Sequence, residues 1–249
     1  ASHYSYDIHG NVKVLVNENA ALPVGGQMTK FKKTEYEYDL VSGNVNAVHY
    51  QNAKPDQFHH RYYYDADNRI TDVYTSRNAV IWEKEAKYYY YAHGPMARTE
   101  IGDKQVAGQD YVYTLQGWIK GVNSNILNAD FDPGKDGASG TNLNKNFARD
   151  AASYSLGYFT GDYTPKNALN NSAYADDAGT SSYNSAITNL YNGNISRMVT
   201  SLYKTDQTML DIHGNVYRYD QLNRIRSAKR FTDQSNLINN NEWLGTNIY

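Results

Sequence analysis

The 249-residue chain contains no cysteine. That absence excludes disulfides, thiolate metal sites and cysteine nucleophiles together, whichever compartment the chain occupies. Long apolar runs are missing as well. No stretch approaches the roughly 20 residues that span a bilayer as a helix, and the opening Ala1-Ser2-His3-Tyr4-Ser5-Tyr6 lacks a basic-then-apolar signal pattern. No membrane insertion is expected. An excess of charge of either sign is also lacking: 24 Lys and Arg face 26 Asp and Glu, for a net charge of -2. Binders of nucleic acid neutralise phosphates with clustered cations, so no nucleic-acid partner is expected. Phenylalanine is scarce, with 6 residues against 25 Tyr. Burial therefore relies on side chains with an apolar ring and a polar tip, in line with a mean hydropathy of -0.75. Such side chains suit a sheet that is half wet.

What is present is a repeat. Alternating aromatics lead into Asp, then two variable residues, then Gly or Asn, then a β-branched run. Tyr4-Ser5-Tyr6-Asp7-Ile8-His9-Gly10-Asn11-Val12 is the clearest copy. A second runs Tyr36-Glu37-Tyr38-Asp39 to Gly43-Asn44-Val45 with one extra turn residue. Tyr62-Tyr63-Tyr64-Asp65 to Asn68-Arg69-Ile70 and Tyr217-Arg218-Tyr219-Asp220 to Asn223-Arg224-Ile225 carry Asn in the Gly place. The Asp carboxylate can bond backbone amides across a turn, and the hinge needs φ > 0, which Gly tolerates best and Asn next. Degenerate copies keep the hinge and lose the Asp, as in Tyr91-Ala92-His93-Gly94, Thr114-Leu115-Gln116-Gly117 and Tyr191-Asn192-Gly193-Asn194.

On both sides of each turn the pattern has period 2, with Val12, Val14 and Val16 on one face and Lys13 on the other. The expected fold class is all-β: antiparallel hairpin repeats forming a curved ribbon, with three segments at 1–122, 123–187 and 188–249. The middle segment turns rich in Asn, Gly, Ala and Ser and reads as an insertion. Within it Asn144 to Ala152 predicts a short helix, and Tyr154 to Phe159 predicts a return to the sheet. The strand-like alternation from Tyr4 onward, without an initiating Met, reads as a piece of something longer.

These Tyr-x-Tyr-Asp units resemble the YD repeats of Rhs proteins, toxin-complex C components and teneurins, over roughly residues 4–120 and 188–230. The segment Tyr113 to Asn123 and its Gly/Asp-rich sequel are more similar to the bacterial Rhs proteins. The resemblance implies a β ribbon that spirals into a barrel or shell around an unfolded or inhibited C-terminal toxin, held until delivery. The chain would be a non-catalytic length of that wall. Its partners would be the rest of the shell, the enclosed toxin and a secretion apparatus, and its location secreted or cell-surface. The family also has an Asp-Pro-x-Gly core segment that cuts the toxin free by aspartyl chemistry. Asp132-Pro133-Gly134 lacks the spacer and the Leu-Tyr-x-Tyr and Asn-Pro runs, so no proteolysis is carried over to Asp132. The alternative is a cell-surface adhesin or carbohydrate-binding module with its tyrosines facing outward.

Beyond the turn residues, two groups invite chemistry. Asp130, Asp132 and Asp136 alternate in a Gly-rich loop, as a hard cation such as Ca²⁺ prefers, yet Gly134 takes a ligand position and Thr141 stands where the bidentate Glu of an EF-hand belongs. A solvated acidic loop is the stronger reading. Tyr62, Tyr64, Tyr88 and Tyr90 with Trp82 and Trp118 could stack on a sugar or a cargo peptide, against the simpler reading of cross-strand ladders. His59 and His60 are strand neighbours that point to opposite faces and cannot easily share one ion. His9 and His213 sit in turn copies. The pair Gly134-Lys135 lacks the upstream Gly of a P-loop, so no cofactor is expected.

Overall fold

The computed structural model describes residues 1–19, 30–123, 127, 132–138, 140, 143–164, 186–204, 208, 210, 212–233 and 243–244. The protein is all-β, with fifteen strands among the described residues. It divides into two compact units: Ala1–Tyr89 with Thr99–Val106, and Tyr90–Arg98 with Ala107–Tyr249.

Unit 1 is an antiparallel meander of β1 (Ser2–Tyr6), β2 (Val12–Glu18), β3 (Phe31–Tyr38), β4 (Val45–Tyr50), β5 (Phe58–Tyr64), β6 (Ile70–Ser76) and β7 (Glu83–Tyr90). Each strand from β1 to β6 pairs with the next in the chain. In β8 (Met96–Ile101), Met96 to Arg98 count with unit 2 and the rest with unit 1. Unit 2 continues with β9 (Ala107–Tyr113), β10 (Ile119–Val122), β11 (Ala152–Gly157), β12 (Arg197–Leu202), β13 (Ile212–Tyr219), β14 (Ile225–Asp233) and β15 (Trp243–Leu244). These strands too pair in chain order and antiparallel.

The turns have one construction. The Asp amide donates to the carbonyl of the residue that ends the turn, at 2.9 Å for Asp7 to Asn11, 2.8 Å for Asp39 to Asn44, 3.0 Å for Asp65 to Arg69 and 2.9 Å for Asp220 to Arg224. The hinge amide returns to the Asp carbonyl, as Asn68 does at 3.1 Å and Asn223 at 3.1 Å. The hinges take φ of 89° at Gly10, 76° at Gly43 and 60° at both Asn68 and Asn223. Register shifts by one residue at the tyrosine before each Asp: Tyr6, Tyr38, Tyr64 and Tyr219. A tight turn closed by a left-handed residue and a bulge matches the right-handed twist of the strands.

The same tyrosines join one hairpin to the one before. Tyr38 Oη donates to the Val12 carbonyl at 2.9 Å, and Tyr64 and Tyr219 donate to Val45 and Ile195 at 2.7 and 2.9 Å. Each acceptor is the residue after the last Asn of the preceding turn. Side-chain amides repeat the link at the turns: Asn44 donates to Asn68 at 2.9 Å, and Asn192 and Asn194 donate to Asn223 at 3.0 and 2.9 Å. Contacts between successive repeats are what hold a repeat array in register.

Apolar cores are small. In unit 2 Val199, Ile212, Val216 and Phe231 form a buried cluster with Ala186 and Ile187 packed against it. In unit 1 the buried hydrophobic side chains among the described residues are Ala47 and Ala86. Much of that sheet is carried by half-buried rings.

The insertion differs from expectation in one respect. Residues 143–146 form turns, and no helix runs from Asn144 to Ala152. The Asn144 carbonyl accepts from Gly137 N (3.3 Å) and Phe147 N (3.0 Å), while its side-chain amide donates to the Gly134 carbonyl (2.9 Å). Asn engages local backbone in this way at the expense of a helical ladder. Residues 154–157 of the predicted return do lie in the sheet, in β11, between β10 and β12.

Candidate functional site

The strongest concentration of chemistry lies in unit 2, where β8, β9 and the loop at 132–138 meet. Arg98 is its hub. Its Nη1 donates to Asp110 Oδ2 at 2.5 Å, and its Nη2 donates to Asp136 Oδ1 and Oδ2 at 2.7 and 3.1 Å. The guanidinium also lies 4.7 Å from the centre of the buried Phe147 ring. Two glycines make the close approach feasible. A Cβ on Gly108 would fall 2.1 Å from Arg98 Nη2, and one on Gly134 would fall 2.1 Å from both Arg98 Nη1 and Asp110 Oδ2.

Asp132 is the third buried carboxylate, only 2% exposed. Its Oδ2 accepts from the Asp136 amide at 3.2 Å, its buried Oδ1 has no hydrogen-bond partner, and the Asp150 carboxyl lies beside it. Asp110, Asp132 and Asp136 each offer one oxygen within 4.8 Å of the others. Burial pushes the Asp110 carboxyl up to about 7, although Arg98 pulls the other way. Burial, reinforced by the neighbouring Asp132, pushes Asp150 up to about 9. Asp132 is raised by burial as well. Lys120, on β10, and Asp162 form a second buried pair at 2.6 Å. Asp162 also accepts the Tyr158 amide at 2.8 Å.

This arrangement overturns the reading of a solvated acidic loop. Asp136 is buried with Arg98, 38 residues before it in the chain, as a countercharge from another element, and Asp132 is buried next to it, accepting its amide. Asp130 lies outside the described residues. Asp110 and Asp150 escaped notice in the sequence. A readable signal for Asp110 was an acid inside strand β9 next to Arg98 on the preceding strand; for Asp150 there was none.

The aromatic candidates are distributed along the sheet. Tyr62, Tyr64, Tyr88 and Tyr90 are half-buried, and the exposed rings are their neighbours Tyr63 (48%) and Tyr89 (38%). Burial raises the Tyr62 phenol, with Tyr36 and Tyr88 adding to the shift, which places those rings near one another. Trp82 lies under the Arg61 guanidinium at 4.0 Å, and Trp118 packs on Tyr158 at 4.9 Å. His59 is fully buried and meets His49 Nδ1 to Nδ1 at 2.8 Å, with its own Nε2 unpartnered. His60 faces elsewhere, stacked on Tyr62 at 6.2 Å. The turn residues Asp7, Asp39, Asp65 and Asp220 each accept backbone amides through Oδ1, and those bonds hold their carboxyls below the ordinary range.

No protein-family model matches the chain, and no curated protein matches it in sequence. Solved structures do. The likeness is to toxin-complex chains. A crystal structure of TcdB2-TccC3 without its hypervariable C-terminal region aligns over 94% of this chain at 9% identity, with a TM-score of 0.47. A second TcdB2-TccC3 crystal structure aligns over 92% at 11% identity and a TM-score of 0.42. A Tc holotoxin pore from Photorhabdus luminescens aligns over 94% at 11% identity and a TM-score of 0.30. The chain spans only 11%, 9% and 13% of the length of those chains.

Proposed function

We propose that the chain is a non-catalytic length of a YD-repeat wall that encloses another polypeptide, a toxin or effector, and assembles with further repeats of the same shell. The observation that supports this most is the recurrent stitch, in which the tyrosine of one hairpin bonds the carbonyl just past the preceding turn at Tyr38, Tyr64 and Tyr219. Residues that define the repeat are thereby used in building sheet, and the buried cations Arg98 and Lys120 of unit 2 are held by Asp110, Asp136 and Asp162. The secreted or cell-surface setting, with delivery into a target cell as in bacterial competition, belongs to the same proposal.

The test is protease protection in the whole protein that carries these repeats. A hollow particle by electron microscopy, with the segment after the repeats resistant to added protease until the shell is opened, is the expected result. An extended particle with that segment digested at once would overturn the reading. Specific binding on a glycan array that is lost in Tyr63→Ala or Tyr89→Ala would transfer the function to an adhesin.

A further inference from the structure

We propose that unit 2 contains a calcium site built on Asp132, Asp136 and Asp110, with Asp150 beside them. The inference is independent of whether the wall encloses anything.

Charge comes first. Three buried carboxylates, Asp110, Asp132 and Asp136, converge here, and Arg98 bonds two of them. Removing uncompensated charge from water costs several kcal/mol per ion even after the protein relaxes. A divalent cation would offset the negative charge that these clustered carboxylates carry.

Asp132 points to the same answer independently. A buried carboxylate oxygen normally finds a donor, because the cost of desolvating it is otherwise uncompensated. Its Oδ1 finds none, although the residue is only 2% exposed. An oxygen that takes no hydrogen bond yet lies in a cluster of carboxylates is what a metal ligand looks like without its ion. Arg98 does not exhaust its two partners, since each carboxylate oxygen has two lone pairs. The guanidinium thus fixes Asp110 and Asp136 in place without using up the lone pairs of Asp110.

The donor set selects the metal. All donors are oxygens, and neither cysteine nor histidine belongs to the cluster, which disfavours softer transition metals. Calcium binds oxygens at about 2.3–2.6 Å in irregular geometry, so two of its ligands lie at most about 5 Å apart. The three oxygens here lie within 4.8 Å of one another. Magnesium demands a tighter octahedron and retains water, which suits a buried cluster poorly.

Equilibrium dialysis of the full chain against CaCl₂, after EGTA treatment, tests the site directly and tolerates self-association. The expected result is one Ca²⁺ per chain at millimolar concentration or below, with at least a tenfold loss of affinity in Asp132→Asn. Melting of the wild-type chain should rise on adding Ca²⁺ and fall back with EGTA. No binding by the wild type at several millimolar Ca²⁺ overturns the proposal whether or not the variant folds. Binding that Asp132→Asn leaves unchanged while the variant keeps its strand circular dichroism also overturns it, because the ion would then sit on surface carboxylates.

Discussion

The Tyr64 phenol donates a 2.7 Å hydrogen bond to the Val45 carbonyl, 19 residues earlier and one hairpin away. The same residue is where register shifts by one position, so a single tyrosine both bends its own strand and ties it to its predecessor. Tyr64→Phe keeps the ring and deletes the bond. The expected loss is about 1 kcal/mol in urea unfolding, with the same for Tyr219→Phe. A loss no larger than that of an exposed Tyr63→Phe control would show that the stitch contributes nothing.

Asn68 and Asn223 hold φ of 60° at their hinges. Alanine there carries the left-handed penalty of about 1–2 kcal/mol, whereas glycine does not. Asn68→Ala should therefore destabilise more than Asn68→Gly. Because Asn44 also donates to the Asn68 side chain, glycine should still fall slightly short of wild type. Denaturant midpoints of the two variants, measured side by side, decide the order.

In unit 1 the buried His59 should make the fold sensitive to mild acid. Burial depresses its pKa below the ordinary 6.5, and the neighbouring His49 and His60 act in the same direction. The other groups around this pair are Glu37 on His49 and Trp82, with Arg61 over that ring. A depressed folded value means that the stabilisation is present above 6.5 and is lost as pH falls through the lowered value. Unfolding followed from neutral pH down to about 5 should show wild-type stability falling, and His59→Gln should flatten the slope. Equal slopes would remove His59 from the explanation. The turn aspartates act in a separate window, because their lowered values start from 3.8.

Arg98 should be the least replaceable side chain of the acidic cluster. Arg98→Leu leaves Asp110 and Asp136 buried without their shared cation, and breaking a buried pair from one side costs about 3–5 kcal/mol. Gly134→Ala should injure the same contact by steric overlap. Thermal unfolding of both variants, with retained strand circular dichroism, distinguishes loss of stability from loss of fold.

Much of this was readable from the residues because it is local. The Asp-to-hinge spacing specifies a turn within a few residues, and alternation around Tyr36-Glu37-Tyr38 specifies which faces the rings take. The acidic cluster was misread because its burial depends on a partner far away in the chain: nothing near Asp132 announces Arg98, and an Asp/Gly-rich loop looks solvated. The failed helix at Asn144 has a similar cause, since a local pattern yielded to backbone bonds made with Gly134 and Gly137. The role of the repeat tyrosines in linking hairpins lay outside local patterning too, because the acceptor belongs to the previous copy.

Strand order that follows chain order has an evolutionary corollary. Adding or deleting one whole hairpin remakes only the two seams on either side, with every other seam untouched. Genes for such walls can therefore change length in steps of a single copy, and related proteins should differ by complete hairpins more often than by partial ones.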